Sequence, residues 1–180
     1  SSTWVQLGSD IDGESEGDYS GWSVSLSSDG STVAIGAPSN DANGATSGHV
    51  RIYSYDSGSS TWIQMGSGID EEYPYDTPGY SVSLSSDGST VAIGAPSNDG
   101  NGPDSGHVRI YNYDSGSSTW IQVGSDIDGE SEYDTSGWSV SLSSDGSTVA
   151  IGAIRNDGNG RDSGHVRIYN FNSISETWVQ

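Results

Sequence analysis

Alternating carboxylates are the feature of this chain with the clearest chemical potential. Asp126, Asp128, Glu130, Glu132 and Asp134 alternate around Gly129, and Asp10, Asp12, Glu14, Glu16 and Asp18 repeat the spacing around Gly13. Carboxylate oxygens crowded on one short loop, with a glycine that permits a tight turn, suit a hard cation that takes about six to eight oxygens. The candidate metal ligands are Asp10, Asp12, Glu14 and Asp18 in one copy and Asp126, Asp128, Glu130 and Asp134 in the other, and calcium is the cation they would hold. The run does not follow the spacing of a twelve-residue EF-hand loop, whose third acidic step and closing Glu are misplaced here. A solvated acidic segment that keeps the chain soluble is the competing reading. A middle copy (Asp70, Glu71, Glu72 and Asp76) breaks the alternation with Tyr73 and Pro74, so the three segments need not be equivalent.

Other residue types recur just as regularly. His49, His107 and His165 stand in identical Ser-Gly-His-Val-Arg strings that also contain Arg51, Arg109 and Arg167. Histidine can ligate a metal or move a proton, but one histidine per unit, with no second one nearby in sequence, reads as structural hydrogen bonding. The arginines are three of only five bases and read as paired, aromatic-stacked contacts between neighbouring units. Trp22, Tyr80 and Trp138 directly follow the acidic segments. A ring beside a polar face can stack on a sugar, so these are the ligand-binding positions of a carbohydrate-binding alternative. There is no phosphate loop or His-Glu-x-x-His motif, and the expectation is a protein without enzymatic activity.

Composition narrows the partners. The 180 residues carry 5 bases, all Arg, against 25 acids, a net charge of −20. Nucleic-acid phosphates and anionic lipids are bound by basic surface, so neither nucleic acid nor membrane insertion is expected. Cysteine is absent, which removes disulfides and thiolate chemistry. No apolar run approaches the roughly 20 residues of a membrane span. Ser1 opens on polar sequence without a signal peptide, while the acidity and the high Ser and Gly content fit an extracellular or cell-surface location.

The elements that position these residues come from an internal repeat. Trp4, Trp62, Trp120 and Trp178 are spaced by 58 residues, and SVSLSSDGSTVAIGA occurs unchanged at 23–37, 81–95 and 139–153. Each unit reads as four short strands: SVSLS, TVAIGA, HVRIY and TWIQ. Asp29-Gly30 supplies a positive-φ pair for the hairpin joining the first two. In an antiparallel meander the acidic segments and the Asn/Asp/Gly loop before HVRIY share one end, which gathers nineteen of the 25 acids there. The chain is one repeat domain, 1–180, with units at about 22–66, 80–124 and 138–180 and an extra N-terminal strand at 3–7.

Gly21-Trp22, Gly79-Tyr80 and Gly137-Trp138, then Asp-Gly, then Gly36-Ala37-Pro38 and Gly94-Ala95-Pro96, then Gly-His-Val-Arg-Ile-Tyr resemble the FG-GAP repeat family, with a departure at Gly152-Ala153-Ile154. The resemblance implies an all-β fold of integrin-α-type β-propeller blades, here three four-stranded antiparallel blades per chain. A threefold β-trefoil or β-prism-like monomer is the structural alternative. Integrin-type blades often hold calcium on an Asp-rich first hairpin, whereas Ser27-Ser28-Asp29-Gly30 offers a single carboxylate. Three blades do not close a ring of the usual four to eight or so. Homo-oligomerisation is therefore expected, as a six-bladed dimer ahead of a nine-bladed trimer, with Trp4 and Trp178 competing to complete a closing blade. The functional expectation is a scaffold or adhesion module whose acidic face takes cations, a protein or a glycan. The alternative is a symmetric, engineered or recently amplified propeller whose sole activity is assembly.

Overall fold

The computed structural model describes residues 2–70 and 73–180; Glu71 and Glu72 lie outside the described residues. Small residues alternating with Val, Ile and Leu put the larger apolar side chains on one face of a strand, and the glycine-rich turns between the strands leave no helical segment among the described residues. The first blade is a meander of β1 (Ser23–Leu26), β2 (Thr32–Ala37), β3 (His49–Asp56) and β4 (Thr61–Gln64), every pairing antiparallel. One short strand, β5 (Ile69–Asp70), also pairs with β3, at its His49 end. The second blade repeats this with β6 (Ser81–Leu84), β7 (Thr90–Ala95), β8 (His107–Asp114), β9 (Thr119–Gln122) and β10 (Ile127–Asp128). The third comprises β11 (Ser136–Leu142), β12 (Thr148–Ala153), β13 (His165–Asn172) and β14 (Thr177–Val179). The expected four-stranded blade is thus present three times, and the acidic segment adds a fifth short strand to two of them.

The first hairpin differs in detail from the expected positive-φ pair: Gly30 alone of the two has positive φ, at 71°. Asp29 instead locks the turn from its side chain, accepting from Ser27 Oγ, Ser31 N and Ser31 Oγ at 2.8–2.9 Å.

Blades stack through their apolar rows. Val82 and Leu84 of the second blade pack with Val50, Ile52 and Ala34 of the first, and Leu142 of the third packs with Val108 and Ile110 of the second. Hydroxyls register the stack: Ser23 Oγ donates to Gly79 O at 2.7 Å and Ser81 Oγ to Gly137 O at 2.8 Å, while Ser25 and Ser83 accept from the amides of Leu84 and Leu142. On the outer strands the indole N–H of Trp62, Trp120 and Trp178 donates to the carbonyl of Leu7, Met65 and Val123, each in the preceding unit.

The expected N-terminal strand at 3–7 does not form: residues 2–7 have no strand pairing and Trp4 is fully exposed. The reason is occupancy. Trp178 sits in β14, paired with Phe171 of β13, so the outer slot of the third blade is filled within the chain.

The end blades leave one face each uncovered. Val24 and Leu26 are 64% and 60% exposed where their counterparts Val82 and Leu84 are 8% and 7%. At the opposite end Val166 and Ile168 are 66% and 56% exposed where Val108 and Ile110 are 0% and 1%.

Candidate functional site

The acidic segments lead from the outer strand of one blade to the first strand of the next, at the end of the blades where β3, β8 and β13 begin. Ile69 and Ile127, flanked by polar residues, are buried. They anchor β5 and β10 and set the adjacent Asp70 and Asp128 opposite His49 and His107. The histidine ring of His49 lies against Asp70, Nδ1 to Oδ1 2.5 Å, with Glu14 3.8 Å from Nε2. His165 has Glu130 at 3.8 Å.

The arginines bind these segments. Arg51 donates to Asp12 O at 2.7 Å and Ser20 Oγ at 3.3 Å, with Glu14 at 4.0 Å, and lies over the Tyr53 ring. Arg167 repeats this with Asp128 O, Ser136 Oγ, Glu130 and Tyr169. Arg109 grips the carboxylate of Asp126 through Nε and Nη2 at 2.9 and 2.8 Å. The difference follows from sequence: the position of Asp126 is Gly68 in the preceding unit, so Arg51 has no such carboxylate after its blade. The contacts run to the lead-in segments that join blades.

The candidate cation ligands go to different partners and do not gather into one cage. Asp18 and Asp134 are buried, each accepting from the amide three residues before it, Ser15 and Ser131, and from the amide group of Asn40 and Asn156. Asp76 pairs with Asn98 in the same way. These buried Asp–Asn clips fix the lead-in to the loop before β3, β8 or β13. The sequence reading missed the asparagines, whose signal was their place immediately after each Gly-Ala-x-x string. Asp10 accepts from Gln6. Burial, the largest influence on Asp126, would raise its pKa, yet hydrogen bonds from Arg109 and Gln122 and the charge of Arg109 outweigh it and hold the carboxyl below its ordinary value. Asp126 and Asp128 do come together with His107, ligand atoms within 4.8 Å of one another, but a cation there would compete with Arg109 for Asp126.

The aromatic candidates are brought into one row. Trp22 meets Tyr80 at 5.5 Å between ring centroids, and Tyr80 meets Trp138 at 4.7 Å. The row crosses all three blades beside the acidic end, with Trp22 and Trp138 partly open to solvent. A second set, Tyr55–Trp62, Tyr113–Trp120 and Phe171–Trp178, packs across the outer strand pairs at 5.2–5.3 Å.

A family described as FG-GAP repeat matches residues 10–53, 73–111 and 126–169. No curated protein matches the chain in sequence. Among solved structures, a protein described as a 6-phosphogluconolactonase from Bacteroides uniformis aligns over 87% of this chain with TM-score 0.56 and 15% identity. Saccharomyces cerevisiae Sqt1 aligns over 92% with TM-score 0.56 and 15% identity, and the periplasmic gluconolactonase PpgL of Pseudomonas aeruginosa over 88% with TM-score 0.53 and 19% identity. The chain spans 37%, 35% and 41% of the length of those three structures. At these identities the likeness is one of fold. It overturns the expectation of a protein without enzymatic activity: chains described as lactonases share this architecture, and on such a fold catalytic groups are set one by one on loops, where no linear motif need mark them.

Proposed function

The chain belongs to the FG-GAP repeat family, and from that premise we propose that it is a β-propeller scaffold that assembles end to end with a second copy into a six-bladed ring. Its acidic end then faces outward for cations and for protein or glycan partners, as an adhesion module at or beyond the cell surface would require. The observation that carries the assembly is the pair of uncovered faces. Val24 and Leu26 at one end and Val166 and Ile168 at the other are the two halves of the contact that the chain already makes twice internally, where the same positions are buried except for Val140, which is half-buried. Each apolar face leaves water only against its complement. Because the two halves differ, the contact is head to tail, and it ends in a ring once the blades close.

Sedimentation velocity tests this. The wild type should run at twice 18.7 kDa, and Leu26→Asp or Ile168→Asp should run as a monomer with an unchanged circular dichroism spectrum. A monomeric wild type contradicts the proposal.

The aromatic row supports a second reading, a carbohydrate-binding surface. Saccharide titration should change tryptophan emission and lose its effect in Trp138→Ala; unchanged emission across neutral, acidic and amino sugars removes this reading.

A further inference from the structure

At each joint inside the chain, the loop before β8 or β3 receives the lead-in segment of the next blade. The amide of Tyr75 donates to Ala45 O at 3.0 Å, and that of Tyr133 to Pro103 O at 2.7 Å. Tyr75 and Tyr133 adopt left-handed φ of 74° and 67° there, and Gly17, at the matching place in the first lead-in, has φ 92°. The 58-residue register likewise sets Arg161 where Ala45 and Pro103 stand. Inside the chain, then, a small loop residue meets a tyrosine. Where the third blade would meet the first blade of a second copy, an arginine meets a glycine, and the large side chain has changed sides.

The surroundings of both residues fit that exchange. A Cβ on Gly17 would find open space, and Glu14, Glu16 and Asp18 flank it. At the internal joint a Cβ on Gly102 would stand 3.1 Å from Cβ of Glu132; the same register puts Glu16 of a second copy beside Gly160 and Arg161. The Arg161 side chain is 91% exposed, with Asp162 at 3.4 Å. Arg155 lines the same concavity, about 1120 Å³, together with the carboxylates of Glu130, Glu132 and Asp134. Arg155 and Arg161 are the two bases outside the repeated strand position, and both replace uncharged residues of the second unit, Ser97 and Pro103.

We infer that Arg161, with Arg155 beside it, is a docking site for the acidic lead-in, residues 10–18, of a second copy, so that the end-to-end joint is selected by charge as well as by its apolar faces. This rests on the self-assembly reading above. Charge of this kind steers encounter and fixes register, and salt weakens it.

The test is sedimentation equilibrium of the full chain at low and high salt. Arg161→Glu should weaken self-association about tenfold at low salt, with the defect shrinking at high salt as the new repulsion is screened, and adding Glu16→Arg should restore the low-salt affinity. Arg161 is exposed, so the variant is expected to fold, and circular dichroism checks this. If Arg161→Glu associates like the wild type at both salts while Ile168→Asp is monomeric, the charged joint is overturned and self-assembly stands. If Ile168→Asp also associates like the wild type, both are overturned.

Discussion

Asp29, Asp87 and Asp145 each hold the hairpin that joins the first two strands of a blade, through bonds from two serines and a backbone amide. The amide of Ser31, followed by the hydroxyls of Ser27 and Ser31, brings Asp29 from 3.8 down to about 2. The hydroxyl of Ser143, followed by the amide and hydroxyl of Ser147, does the same for Asp145, also to about 2. Both titrate lower folded than unfolded, so the stability they add is complete above their ordinary value of 3.8 and is lost as pH falls through about 2. The melting temperature should therefore fall over that window, and Asp29→Asn with Asp145→Asn should flatten the acid limb; an equally steep limb in the double variant contradicts the assignment. The residue pair was legible in the sequence as a turn. Its mechanism was not, because the carboxylate acts on its own hairpin and only Gly30 takes the left-handed conformation.

At the scale of the element, glycines set how closely blades approach. A Cβ on Gly94 would stand 2.1 Å from Gly137 O in the next blade, and one on Gly36 the same kind of distance, 2.0 Å, from Gly79 O. Gly152 has the corresponding place in the last blade, but there a Cβ meets only Ser139 of its own blade. Gly94→Ala should cost about 1–3 kcal/mol by forcing two blades apart, read as a lower melting temperature. Gly152→Ala should cost less in folding, yet reduce self-association because a second copy would bring a carbonyl to that position. Equal melting temperatures for the two variants would contradict the blade-contact account. Losing one indole hydrogen bond, as in Trp120→Phe at Met65 O, should cost on the order of 1 kcal/mol. The long strands were legible because alternation over SVSL, TVAIGA and HVRIY leaves no other period. β5 and β10 were hidden, since two residues are too short to alternate; buried Ile69 and Ile127 within polar runs were their trace. The carboxylate run looked like a ligand set because spacing alone does not show which acids an Arg or an Asn will take.

Across the whole molecule, fourteen of the 25 acids behind the charge of −20 lie in the segments that lead into each blade, where Arg51, Arg109 and Arg167 bind these segments and Asn40, Asn98 and Asn156 clip Asp18, Asp76 and Asp134. The same segments form the joints, so charge and assembly meet at one end of the blades. What remains uncovered is a pair of unlike apolar faces whose internal copies are buried. Native mass spectrometry of Leu26→Asp mixed with Ile168→Asp tests this most directly. In a head-to-tail ring the mixture recovers one joint with both natural faces, so the wild type should be a dimer, each variant alone a monomer, and the mixture a heterodimer. A wild-type monomer, or a mixture that stays monomeric beside a dimeric wild type, would contradict it.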